Sequence, residues 1–551
     1  MSSSPSETYL DERFSNFLAE RSGLEGSEKS DFYDIVLRLS ISLSEGHSCL
    51  QLPPKEKSSL QGNRLVAHAE ESNSNESLPL VLFEDKLYLE RYYTYEARLA
   101  KQIKDLAKTR YAVEVDKVVA ADLFPGETIS TSDQMRAAVT ALNRALMIVG
   151  GGPGTGKTTT VVKMLALLLL HSENSLRIGL AAPTGKAAMR LSESIGNSLK
   201  NLNLPISVAE RIPESAVTLH RLLGVKKHSP QFKHNSSRPL GLDVVVIDEA
   251  SMVDLAMMSK LVDALKPDGR LILLGDKDQL ASVESGAVLA DFIYSLPDNS
   301  VELKKTYRFD DNIKRLAENI NNSDHKAVWQ QLNVDNHYNV SHVKQDDLLK
   351  YISLRYGEYL EFVQGIKAPG EADVREIFTF FNRFQVLCGV THTEHGVNAI
   401  NRQVEQRLAR SGLQCRYNEW YPGRPVLITR NDYGMDLYNG DIGICLWDTS
   451  RRALRVWFER GDGSLKSCAI NLLPPLETVY AMTIHKSQGS EFEEVVVVLP
   501  KDDNRVLSRE LIYTAVTRAK KSVRLAGDQL SLIHISEPTR LVHSSRMPSS
   551  A

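Results

Sequence analysis

The sequence predicts an α/β protein built on parallel sheets, and three observations carry that expectation. Runs rich in Val, Ile and Leu recur (ALMIVG, LRIGLAAP, DVVVIDEA and RLILLGD), each passing through a loop into a helix-forming stretch. These runs are almost continuously apolar, as strands buried on both faces must be. A second set, FQVLCGVT, EEVVVVLP and SVRLAG, repeats the alternation further along the chain. Two such blocks of strand–helix alternation predict two α/β domains.

Composition agrees with a globular chain of several domains. There are 551 residues, 42% hydrophobic and 25% charged, with a formal net charge of −3. The charge balance leaves no global nucleic-acid footprint, so any basic track must be local. Cys49, Cys388, Cys415, Cys445 and Cys468 are scattered without a CxxC pair. That spacing excludes a zinc or iron–sulfur signature and a disulfide framework, and fits a reducing compartment. The stretch MSSSPSETYLDERF lacks the pattern of a secretory signal. The most apolar run, VVKMLALLLL, is too short to span a bilayer and contains Lys163. The expectation is a cytoplasmic protein without a membrane partner.

Four segments follow in order. Residues 1–110 mix short helical patterns with polar runs and read as a small helical N-terminal domain. Its end, LVLFEDKLYLERYYTYEARLAKQI, reads as a strand or hairpin followed by a helix. Residues 111–335 hold the first α/β block, with a short insert near 225–240. Residues 336–530 hold the second, interrupted near 415–475 by alternating residues with turns at NGD and GDG. That pattern predicts a small antiparallel, SH3-like β-unit inside the second domain. Residues 531–551 contain LIHISEPTR, which reads as a translated sequencing adapter, so a non-native tail is expected there.

Chemistry concentrates where the first strand of the first block ends. Gly151, Gly152, Pro153, Gly154, Thr155, Gly156, Lys157, Thr158 and Thr159 contain G-x-x-x-x-G-K-[ST] between a strand and a helix. Glycine lets the backbone turn several N–H groups onto an anion, and the helix N-terminus adds its dipole. Lys157 is placed for the β/γ-phosphates of ATP and Thr158 for Mg²⁺. The strand VVVID ends in Asp248 and Glu249. Asp248 suits the same magnesium shell, and Glu249 suits orienting or deprotonating water. In LLGDKDQL, Gln279 suits sensing the γ-phosphate and Asp276 suits capping the turn. Gln134 has two readings: adenine recognition, or a capping box with Thr131. Arg308 and Arg518 are the two arginines placed to stabilise charge in phosphoryl transfer, with a surface role as the alternative for each. The insert KKHSPQFKHNSSRPLG carries Lys226, Lys227, Lys233 and Arg238, and reads as a pin, a strand-guiding loop or a solvated loop.

The order of motifs resembles superfamily-one helicases: Gln134, GGPGTGKTT, APTGKAA, TLHRLLG, DEAS, GDKDQL, YR, TIHKSQGSEF and YTAVTRAK. LDVVVIDEASMVD, ITRNDYGMDLYNGDIGI and LYLERYYTYE narrow the resemblance to the RecD family, the alpha subunits of exodeoxyribonuclease V. It covers about residues 80–529. The resemblance implies two RecA-like P-loop NTPase domains with ATP between them and 5′→3′ movement on single-stranded DNA. It also implies a complex with a RecB-like helicase–nuclease and a RecC-like scaffold, acting on double-stranded DNA ends in break repair. Nuclease chemistry then belongs to a partner. Through the resemblance, Gly489 and Glu491 take a role near the γ-phosphate and ribose, and the adenine role of Gln134 gains support. Pro183, Thr184, Lys186, Thr218 and His220 become DNA-facing in the first domain, with Thr483 and His485 in the second. Hydroxyls, lysines and backbone amides bind phosphate without reading sequence, as a motor requires. Two other readings stay open at this point: a stand-alone helicase of the same wider family, and a DNA-binding module that uses ATP only as a switch.

Overall fold

A computed structural model describes residues 8–69, 78–114, 116, 122–172, 175–226, 229–281, 286, 288–305, 310–333, 339–415, 419–432, 434–460, 463–500 and 507–527. The expected non-native tail and Arg308 lie outside these residues.

The N-terminal region combines helices with a sheet. Helices Tyr9–Arg21 and Gly26–Ser44 pack on each other, and Thr8 closes the first with a capping box to Asp11. Strands β1 (Cys49–Gln51), β2 (Val66–His68), β3 (Leu80–Phe83) and β4 (Lys86–Leu89) form a sheet in the order β1-β4-β3-β2. The hairpin and helix expected at the end of this region are present as β3, β4 and the helix that follows, but β1 and β2, which widen the hairpin into a sheet, were not read from the sequence. Strands of three or four residues are too short to register a period-2 pattern against the surrounding helical signal. Helix Glu90–Lys108 ties the region to the first lobe. Glu96 accepts from Ser48 Oγ at 2.9 Å and Tyr88 Oη at 3.2 Å on one side. On the other, Leu99 and Ile103 join a core with Leu146, Val245 and Leu261.

The first lobe is a six-stranded parallel sheet. Its strands are β5 (Leu146–Gly150), β6 (Ile178–Ala182), β7 (Val217–Thr218), β8 (Val244–Ile247), β9 (Arg270–Gly275) and β10 (Ser300–Glu302), ordered β10-β5-β9-β8-β6-β7. Each neighbouring pair is parallel. Along β5, Met147 and Val149 enter the core on one face while Leu146 and Ile148 enter the core on the other. That two-sided burial explains the unbroken apolar runs. Because β9 lies between β5 and β8, the loops after all three strands open at one edge of the sheet.

The second lobe repeats the plan. Strands β11 (Val340–His342) and β12 (Phe384–Cys388) precede an inserted sheet, and β18 (Ala481–Thr483), β19 (Phe492–Val498) and β20 (Ala519–Ala526) follow it. These five are parallel, in the order β11-β20-β19-β12-β18. The insert is a five-stranded antiparallel sheet of β13 (Pro425–Ile428), β14 (Ile442–Asp448), β15 (Ala453–Glu459), β16 (Leu465–Ala469) and β17 (Leu476–Thr478), ordered β16-β15-β14-β13-β17. Val426, Ile428, Cys445, Val456 and Phe458 fill a small core of its own. All five cysteines are free and buried. Among the described residues no helix is long and apolar enough to cross a membrane.

Candidate active site

Strand β5 hands over to helix Lys157–Leu170 through the glycine-rich loop. Gly156 stands at the helix start with φ +82°, a left-handed conformation that a side chain would strain. A Cβ there would also stand 2.8 Å from Gln134 Nε2, so Gln134 lies against the loop. The capping-box alternative for Gln134 is not formed with Thr131. Ser132 is the N-cap, its Oγ accepting from Met135 N at 3.1 Å. Lys157 Nζ donates to Gly151 O at 2.7 Å and Gly152 O at 3.1 Å, and Thr155 Oγ1 donates to Gly152 O at 2.9 Å. The ammonium thus sits at the mouth of the loop on its own carbonyls, a position from which a phosphate can take over those bonds. Thr158 occupies the first turn of the helix, and Thr159 Oγ1 lies 3.4 Å from Ser198 Oγ.

Asp248 and Asp276 follow strands β8 and β9 and stand over the same edge. Burial and the neighbouring Glu249 raise the pKa of Asp248, while the Lys157 ammonium opposes the rise. Burial likewise raises that of Asp276, again against Lys157. Lys157 is therefore the cation facing both carboxylates. This donor set fits a magnesium triphosphate: one ammonium, glycine-loop amides at a helix N-terminus, a hydroxyl at Thr158 and the carboxyl of Asp248. Glu249 has φ +50° and ψ +42°, a left-handed backbone in a residue other than glycine. Strain of this kind, of order 1–3 kcal/mol, is retained where it aims a functional side chain. Gln279 is buried and its Nε2 donates to Asp276 Oδ2 at 3.1 Å. Asp276 also caps its turn, Oδ1 accepting from Asp278 N at 3.1 Å.

The second lobe closes on this edge. Leu280 N donates to Thr514 Oγ1 at 2.8 Å, and Gln488 Nε2 donates to Leu280 O at 2.9 Å. Arg518 is 3% exposed. Its Nε donates to Thr514 O at 3.1 Å and its Nη1 to Ser490 O at 3.3 Å, while Nη2 is buried with no hydrogen-bond partner among the described residues. A cation so placed has donor capacity left for an anion. Gly489 lies against the first lobe, where a Cβ would be 4.0 Å from Ala187 Cβ. Glu491 pairs with Lys520 at 3.3 Å.

The DNA-facing candidates divide between the lobes. Thr184 and Thr218 are N-caps: their Oγ1 atoms accept from Ala187 N and Arg221 N, each at 3.2 Å. Pro183 is half-buried in the same loop as Thr184. His220 is exposed and meets Phe232 of the 225–240 insert edge-on at 5.7 Å. In that insert Val225 and Phe232 pair across a bridge. Lys186 is partly buried; burial and Arg190 push its pKa down to about 7, with Asp441 opposing. Thr483 ends β18, its Oγ1 accepting from Lys486 N at 3.3 Å. His485 follows, its pKa lowered by burial.

Several residues at this seam were missed by sequence reasoning. Arg190 has its pKa lowered by burial, with Glu491 and Glu249 opposing and Arg518 adding to the fall. It therefore lies between the catalytic carboxylate candidate of one lobe and the motifs of the other. Its signal was present: Lys186 and Arg190 are four apart and share one face of helix Gly185–Asn201. Tyr438 of the inserted sheet's loop packs on Gly185, where a Cβ would be 3.1 Å from its ring. Tyr513 reaches across to Asp276. No local pattern marks those two approaches.

Fold and site together define a two-lobed P-loop nucleotide-hydrolysing protein. Residues 134–285 match the AAA domain family, and residues 478–526 match the UvrD-like helicase C-terminal domain. The chain is 41% identical over 457 residues to the RecBCD enzyme subunit RecD of Mycolicibacterium smegmatis, covering 81% of this chain and 79% of that one. It is 36% identical to RecBCD enzyme subunit RecD of Haemophilus influenzae, covering 83% and 78%. The ATP-dependent RecD2 DNA helicase of Deinococcus radiodurans is 31% identical, covering 81% of this chain and 55% of that protein. The chain belongs to the RecD family.

Proposed function

We infer that this chain is an ATP-dependent DNA helicase subunit of a RecBCD-type complex, unwinding double-stranded ends for degradation and recombinational repair in the cytoplasm. Movement is 5′→3′ along single-stranded DNA. The partners are a RecB-like helicase–nuclease and a RecC-like scaffold, which dock on residues 1–110. The two RecA-like motor domains divide near residues 306–309 rather than at the expected 335, since helices Asp311–Asn321 and His325–Leu332 pack in the core of the second lobe, and the antiparallel insert near 415–475 is SH3-like.

One observation carries this reading: Arg518, with a guanidinium nitrogen unpartnered among the described residues, belongs to the lobe whose Thr514 is hydrogen-bonded to the loop after β9. Hydrolysis at such a seam changes the distance between lobes. Gln134 reads the adenine edge. Main-chain amides of residues 151–156 and the Lys157 ammonium hold the phosphates. Thr158 and Asp248 would hold Mg²⁺, which supplies charge neutralisation at the phosphates. Glu249 orients the attacking water and takes its proton. Gln279, Gly489 and Glu491 monitor the γ-phosphate side and ribose, while Arg518 and Arg308 stabilise charge on the transferring group. Pro183, Thr184, Lys186, Thr218 and His220 of one lobe, with Thr483 and His485 of the other, contact the DNA backbone. Because hydroxyls and cations grip phosphate without reading bases, the strand can slide between them.

The test is strand-specific unwinding by the full chain of one duplex carrying a 5′ overhang and another carrying a 3′ overhang. Unwinding from the 5′ overhang alone is expected; a preference for the 3′ overhang contradicts the reading. Co-purification with two larger partners separates the subunit from a stand-alone helicase.

A further inference from the structure

The seam contains a donor that the hydrolytic roles leave unused. Tyr513 lies in helix Arg509–Val516 of the second lobe and is 7% exposed. Its Oη–H donates to Asp276 Oδ2 of the first lobe at 3.1 Å. Gln279 Nε2 donates to that same oxygen, also at 3.1 Å. The hydroxyl also borders the phosphate loop: a Cβ on Gly152 would stand 3.1 Å from Tyr513 Oη and 3.9 Å from Asp276 Oδ2. A side chain at 152 would crowd the hydroxyl, so glycine there leaves room for this close approach. Burial, together with Asp276, raises the Tyr513 pKa, so the phenol keeps its proton and remains a donor. The bonds Leu280 N to Thr514 Oγ1 and Gln488 Nε2 to Leu280 O flank the pair and fix its register.

One carboxylate oxygen thus collects a donor from the phosphate-sensing glutamine and a donor from the opposite lobe. We propose that Asp276 and Tyr513 form a latch that reports the state of the phosphate loop to the second lobe, with Gln279 as the exchanging arm. When Gln279 turns to a γ-phosphate, Asp276 Oδ2 is left to Tyr513 alone. A hydrogen bond to a charged acceptor strengthens when it is no longer shared. The helix carrying Arg518's anchor, Thr514, is then drawn toward the loop. Tyr513 is a positioning residue, and its role rests on the ATP-driven motor reading above.

The experiment uses the full chain with poly(dT) and a fluorescent ADP analogue. Tyr513→Phe keeps the ring and removes only the hydroxyl. DNA-stimulated turnover is expected to fall about tenfold, the scale of a lost hydrogen bond to a charged group. DNA-independent turnover and analogue affinity stay within about twofold, since neither needs the lobes to be coupled. Asp276→Asn and the double variant complete a cycle. If the pair acts as one unit, the double variant is slower than the slower single variant by no more than about twofold. Unchanged DNA stimulation in Tyr513→Phe overturns the latch, as do equal losses with and without DNA, or losses that multiply in the double variant. A wild-type chain without any DNA stimulation overturns the motor reading itself, and the latch with it.

Discussion

Lys157 is proposed to serve the chemistry of the loop without holding the fold together. Among the described residues its ammonium donates only to carbonyls of its own loop, so Lys157→Gln is expected to unfold at nearly the wild-type temperature. Turnover should fall at least ~10²-fold, as when a preorganised donor at developing charge is lost; calorimetry and an ATPase assay check the two halves. Lys186 makes a different prediction. With its pKa near 7, it is protonated below that pH and increasingly neutral above it. A phosphate contact needs the cation, so single-strand affinity should weaken as pH rises through about 7. Lys186→Arg should flatten that profile in a fluorescence titration; an unchanged profile removes Lys186 from the DNA track. Residues of this kind were legible because the loop, Asp248, Glu249 and Lys186 lie in contiguous motifs. Tyr513 and Tyr438 were not, because their meaning comes from approaches made only after two lobes and an insert pack together.

Among the elements, helix Gly185–Asn201 joins the proposed DNA track to the nucleotide site. Thr184 caps it, and it carries Lys186 and Arg190 on one face toward Asp441, Glu491 and Glu249. Thr184→Ala should cost about 1 kcal/mol by urea denaturation, the usual loss of an N-cap oxygen, and Thr184→Ser should restore it. A neutral Thr184→Ala would mean that the cap contributes nothing. The parallel strands were legible for a plain reason: burial on both faces demands unbroken Val, Ile and Leu, as in β5, β8 and β19. The N-terminal strands were not, since Cys49–Gln51 and Val66–His68 are too short to carry a period.

Across the whole molecule, two parallel sheets meet where the loops after β5 and β9 face helix Arg509–Val516. Among the described residues, hydrogen bonds from Leu280, Gln488 and Tyr513 cross there beside the packing of Leu280 on the second lobe's core. ATP cleavage at this seam is proposed to need residues of both lobes. Arg518→Lys tests it most directly, because lysine keeps the charge and loses the planar fork. Measured on the full chain with saturating single-stranded DNA, ATP turnover should fall about 10³-fold while affinity for an ADP analogue stays within about twofold. Turnover at the wild-type rate would mean that the first lobe hydrolyses ATP unaided, and would contradict the claim.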